Sequence, residues 1–204
     1  PRAGAGALVY GDVAGKSVSG ALLMMAAHEA LQSLAFTHRD PSTLLGLVNR
    51  RLYGLGGKKS FVAVAWLAVS EDGEGLDYAI AGQPELLLRA AGGAVRELPL
   101  PEHRLPLGAL LNGGYRTCHA AVAPGEIVLG YSDGVVEAQS PSGEQFGETR
   151  LAEVLSASPP EPRAVVDGVL DAVRRFTDGA EPYDDITLVA VARDPEDGSC
   201  ARAG

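Results

Sequence analysis

From Ser60 to Tyr131 the sequence carries one strand signal after another, and helices are signalled only before and after that stretch. A doubly wound parallel fold alternates strand with helix, so this order argues for an α+β arrangement in layers. The leading segment Ala7–Val13 (ALVYGDV) is expected as a buried strand ending in a turn. Gly20–Phe36 is apolar except for His28, Glu29, Gln32 and Ser33, which recur at helical spacing. It predicts a mostly buried helix with one narrow polar stripe. A second helix is expected to open at Asp40-Pro41, where Asp caps and Pro suits the first turn. Its core face is Leu44, Leu45, Val48 and Leu52, and Gly54–Gly57 ends it.

The period then changes. Ser60–Val69 is an almost continuous apolar run rich in Val, which suits a strand covered on both faces. Asp72-Gly73 marks a hairpin turn, Leu76–Ala81 and Glu85–Ala90 read as strands, and Gly92-Gly93 as a further turn. Tyr115–Val122 and Glu126–Tyr131 are expected to form a hairpin through Pro124-Gly125. A helical pair follows. Its second member is Pro162–Phe176, with Val165, Val166, Val169, Leu170, Val173 and Phe176 on one face. Asp185–Val191 (DITLVAV) closes the series as a buried strand.

At 204 residues, with 46 % hydrophobic and 21 % charged residues, the chain can bury a core without staples, which favours one domain over residues 1–193. The polar remainder, residues 194–204 (DPEDGSCARAG), is expected to be a flexible tail. Seventeen basic against 26 acidic residues leave a net charge of −9, which argues against a nucleic-acid surface. Cys118 and Cys200 form no CxxC pair and suggest neither disulfide nor zinc site. Val18–Ala27, the longest uncharged apolar run, is too short to span a bilayer, and no signal peptide opens the chain. The expected location is the cytoplasm, with no membrane contact.

Three acidic positions share one local design, a carboxylate at the edge of an apolar strand. Asp12 lies at the end of ALVYGDV, Asp133 follows EIVLGYS, and Asp184 and Asp185 open the strand DITLVAV. A carboxylate beside a dry strand is costly unless something compensates it. One multivalent cation compensates all three if they converge, and oxygen-only ligands select a hard ion, Mg²⁺ or Mn²⁺. Each position also has a plainer reading. Asp133 before Gly134 forms turns, Asp184-Asp185 can simply lead into a strand, and Asp12 can cap the helix after it. Gly11–Ser17 (GDVAGKS) falls short of a phosphate-cradling P-loop, which needs four residues between its glycines where this chain has three. His28, His38, His103 and His119 have no ligand spacing, and no GxSxG elbow occurs.

Several motifs, in order, resemble a known family. Gly11-Asp12-Val13-Ala14-Gly15-Lys16 runs into the Ala/Leu/Met-rich GALLMMAAHEA. Phe61-Val62 begins a strand, Ala81-Gly82 comes before a proline, and Pro124-Gly125-Glu126 leads to Tyr131-Ser132-Asp133-Gly134-Val135-Val136-Glu137-Ala138. Gly143–Gly147 (GEQFG) and Asp184-Asp185-Ile186-Thr187 complete the set, which spans about residues 7–192. The series is similar to bacterial SpoIIE-type serine/threonine phosphatases of the metal-dependent, type 2C-like superfamily. That resemblance implies a four-layer αββα sandwich, two antiparallel sheets flanked by helices, with a two-metal Mn²⁺ or Mg²⁺ site. It matches Asp12 to a ligand bridging both ions and the Val13 carbonyl to a ligand of one. Asp133 and Asp184 match ligands of the other ion, and Asp185 matches a supporting position.

The implied activity is hydrolysis of phosphoserine or phosphothreonine by a metal-activated water; Lys16 either approaches the substrate phosphate or is simply a solvated lysine at the helix entry. The implied partners are a phosphorylated protein, such as an anti-sigma factor antagonist in partner switching, and a second copy in a homodimer. Two departures are expected to matter. Pro1–Gly6 carries no acidic residue where the family places a further Asp motif, so the N-terminal strand region is expected to be missing from this chain. The family's Asn-Ala-Gly-His reads Ile80-Ala81-Gly82-Gln83 here, which motivates an alternative: a catalytically weak phosphatase-fold module that binds a regulatory partner.

Overall fold

The computed structural model describes residues 6–14, 18–55, 60–71, 73–102, 104–180 and 184–193. In chain order the elements are β1 (Ala7–Val13), α1 (Val18–Ala35), α2 (Pro41–Leu52), β2 (Val62–Val69), β3 (Gly75–Ala81), β4 (Leu87–Arg89) and β5 (Val95–Glu97). They continue with β6 (Cys118–Ala121), β7 (Ile127–Tyr131), α3 (Asp133–Val136), α4 (Gly147–Ala157), α5 (Pro162–Phe176) and β8 (Leu188–Ala192). Two compact units result, residues 1–85 with 99–121, and residues 86–98 with 122–204. Each holds one four-stranded antiparallel sheet and its helices, the α+β class expected.

In the first unit the strand order is β1-β2-β3-β6. Asp40 is the N-cap of α2 and accepts the Thr43 N–H at 2.8 Å, with Pro41 opening the helix. Leu44, Leu45, Val48 and Leu52 are then 0–1 % exposed and pack with Val62, Val64 and Trp66 of β2 and with the buried face of α1. One turn before Leu52, Asn49 is buried and fully engaged. Its Nδ2 donates to the carbonyls of Leu110 and Leu111, and its Oδ1 accepts from Gly108 N–H and the Tyr115 hydroxyl.

Two expectations for this unit need correction. β1 is an edge strand, and its Ala7, Leu8 and Val9 are exposed rather than buried. Helix α1 buries one face, through Gly20, Leu23, Ala27, Ala30, Leu31 and Leu34, but its exposed side is wider and more apolar than a narrow polar stripe. Leu22 and Met25 stand 62 % and 70 % exposed there.

The second unit orders its strands β5-β4-β7-β8. Helix α5 has the bounds its periodicity predicts, and Val165, Val169 and Val173 pack with Leu151 and Leu155 of α4 and with Leu129 and Tyr131 of β7. The expected hairpin from Tyr115 to Tyr131 does not form. β6 pairs with β3, while β7 pairs with β4 and β8, so the turn at Gly125 (φ 83°) joins strands of different sheets. Tyr115 and Thr117 are held by side-chain bonds to Asn49 and Asp40, which leaves only Cys118–Ala121 for the ladder. The closing strand begins at Leu188, later than expected, and is half-buried. Gly15–Ser17, Gly56–Lys59, Asp72, His103, Glu181–Tyr183 and the tail 194–204 lie outside the described residues. No described helix is long and apolar enough to cross a membrane.

Candidate metal centre

Asp12 lies near the end of β1, in register with Ala63 of β2. Gly11 before it is needed there, since a Cβ would meet the Ala63 carbonyl oxygen at 2.6 Å. The half-buried Asp12 carboxylate turns back, and its Oδ1 accepts the Val13 N–H at 2.7 Å. Helix α1 starts only at Val18, so Asp12 is not its cap. Lys16 is among the residues not described.

In the second unit, β7 delivers Asp133 directly. The strand ends at Tyr131, Ser132 is the N-cap of the short α3, and Asp133 is that helix's first residue. Its Oδ1 accepts the Gly134 N–H at 2.9 Å. Asp184 arrives on the segment that leads into β8. One carboxylate oxygen of Asp133 and one of Asp184 lie within 4.8 Å of each other. Two oxygens bound to one Mg²⁺ at about 2.1 Å each are separated by at most about 4 Å, so this pair is spaced to share a hard divalent ion with little adjustment.

The contacts that bring this pair together went unrecognised in the sequence. Ser132, 1 % exposed, continues the β7–β8 pairing one step: its N–H donates to the Thr187 carbonyl at 3.0 Å. Its hydroxyl donates to the Asp185 carbonyl at 3.1 Å and accepts the Thr187 N–H at 2.9 Å. Gly134 permits the approach, because a Cβ there would meet the Asp185 carbonyl oxygen at 2.5 Å. Asp185 itself is exposed.

The other polar candidates have local partners. Gln83 is buried, with its Nε2 donating to the Ala63 carbonyl at 3.3 Å. His119 pairs with Asp77 across β3 and β6 at 2.9 Å, and His38 bonds its neighbour Thr37.

Solved PP2C-type phosphatase domains share this fold. The SiaA PP2C domain of Pseudomonas aeruginosa matches with a TM-score of 0.78 at 23 % identity, over 94 % of this chain and 81 % of that one. The RsbU and RsbW domains of Rv1364c from Mycobacterium tuberculosis match at 0.72 and 24 % identity, over 93 % of this chain and 52 % of that one. The PP2C domain with a regulatory fragment of SpoIIE from Bacillus subtilis matches at 0.73 and 16 % identity, over 94 % and 57 %. Among curated proteins, Protein IcfG of Synechocystis sp. is 28 % identical over 220 residues, covering 92 % of this chain. The chain spans 33 % of the length of that relative. The family Stage II sporulation protein E (SpoIIE) matches residues 2–194, and the chain belongs to that family.

Proposed function

We propose that residues 1–193 form a metal-dependent phosphatase domain that hydrolyses phosphoserine or phosphothreonine in a protein substrate. The observation that carries this reading is the Asp133–Asp184 pair, two carboxylates within 4.8 Å at the ends of neighbouring chain segments in a SpoIIE-family chain. Holding like charges that close is unfavourable unless a cation sits with them. Asp12, the Val13 carbonyl, Asp133 and Asp184 are the proposed ligands of Mn²⁺ or Mg²⁺, with Asp185 in support and Lys16 directed to the substrate phosphate.

Unaided phosphate-monoester hydrolysis is slow enough that such an enzyme must supply about 20 kcal/mol or more. Bound divalent ions would supply most of it, by acidifying a water and neutralising the phosphoryl oxygens. The chain's part is to fix the carboxylates, and no cysteine or histidine nucleophile is required. The names of the matched structures, a cell-fate determinant and an RsbU–RsbW pair among them, favour a regulatory substrate. An anti-sigma factor antagonist of a cytoplasmic partner-switching system fits that class, with the domain acting as a homodimer.

The test is hydrolysis of para-nitrophenyl phosphate with and without Mn²⁺, on this chain and on Asp133→Asn. Turnover should require Mn²⁺ and drop about 100-fold or more in the variant, at least the upper end of what losing a residue that merely supports a ligand costs. Undiminished Mn²⁺-dependent turnover in Asp133→Asn would remove the ligand assignment. A folded chain that turns over under no metal condition would leave a regulatory binding module in its place.

A further inference from the structure

We infer that Ser132 is a positioning residue for the proposed metal centre, holding Asp184 at its working distance from Asp133 through the backbone of residues 185–187. The inference rests on the metal-binding reading above. β8 begins only at Leu188, so Asp184 lies on the non-strand segment that precedes it. The Ser132 hydroxyl grips that backbone twice, donating to the Asp185 carbonyl at 3.1 Å and accepting the Thr187 N–H at 2.9 Å.

Ser132 is adjacent to Asp133 in the chain, so the residue that grips the Asp184 segment directly precedes the other member of the pair. The hydroxyl is buried, and its donor and its acceptor capacity are both used, which makes it costly to rearrange. Gly134 completes the clamp by leaving room for the Asp185 carbonyl where any Cβ would stand 2.5 Å from it. Removing the hydroxyl leaves every carboxylate present and takes two bonds from the segment that carries one of them.

The experiment is a calorimetric titration of Mn²⁺ into the unaltered chain, Ser132→Ala and Leu155→Ala, with hydrogen exchange at the Thr187 amide followed without metal. Residues that orient metal ligands cost about 10–100-fold in metal affinity when removed, and Ser132→Ala should fall in that range. Its Thr187 amide should also exchange faster. Leu155→Ala, a core variant of α4 whose side chain makes no hydrogen bond to residues 185–187, should keep its Mn²⁺ affinity within about twofold. Equal affinity in Ser132→Ala and the unaltered chain overturns the inference, as does an equal loss in Leu155→Ala, which would mark general loosening. If Ser132→Ala does not fold, Gly134→Ala asks the same question by displacing the Asp185 carbonyl, and unchanged affinity there overturns it. An unaltered chain that binds no Mn²⁺ sinks the metal reading itself, a separate result.

Discussion

Asp40 gathers its partners from two distant parts of the chain. Its Oδ2 accepts the Thr43 N–H and the Ser42 hydroxyl, and its Oδ1 accepts the Thr117 hydroxyl at 2.6 Å, which ties α2 to the approach to β6. Burial alone would raise its pKa. The bonds from Thr117, Ser42 and Thr43 outweigh that and bring it down to about 2, from an ordinary 3.8. A carboxylate with a lowered folded-state pKa adds stability that is present above its unfolded value and is lost as pH falls toward the folded one. The urea midpoint of the unaltered protein should therefore fall more steeply between about pH 4 and pH 2 than that of Asp40→Asn, and parallel curves would refute this. The same physics made part of the site legible. Asp12, Asp133 and Asp184 stood out because a carboxylate beside an apolar strand needs compensation. Ser132 did not, since serine is unremarkable in sequence and its partner Thr187 lies 55 positions away.

Helices α2 and α5 were legible down to their first residues because an opening proline and a 3.6-residue period are local signals, joined in α2 by the Asp40 cap. In α2 those signals converge on a dry face, so Leu45→Ala should destabilise the protein by about 2–5 kcal/mol, read from the denaturant midpoint at constant m. A loss below about 1 kcal/mol would mean the face repacks. Strand pairing, by contrast, is settled by partners far off in sequence. The Pro124-Gly125 turn looks the same whether it closes a hairpin or carries the chain from β6 to β7 in another sheet. Apolar content misled in a second way at α1, where composition cannot distinguish a buried side from one that faces outward, as Leu22 and Met25 do.

At the scale of the whole molecule, an ion that binds the folded chain and not the unfolded one should stabilise it by mass action. At a hundred times its dissociation constant, Mn²⁺ adds about 2.7 kcal/mol, or about 5–10 °C in melting temperature for a chain of this length. Differential scanning calorimetry with Mn²⁺ and with a chelator checks this, and coincident melting temperatures would contradict it. The units are also threaded through one another along the chain, since Leu86–Leu98 belongs to the second unit but interrupts the first. On the ribosome the first sheet must wait for Cys118–Ala121 before it is complete, while β4 and β5 leave the exit tunnel ahead of β7 and β8. At about 5–20 residues per second, β4 is without β8 for on the order of ten seconds. Neither unit can be cut out as a continuous fragment, and a nascent chain stalled soon after Ala121 would expose Leu87 and Leu88 to the chaperones that patrol the tunnel mouth.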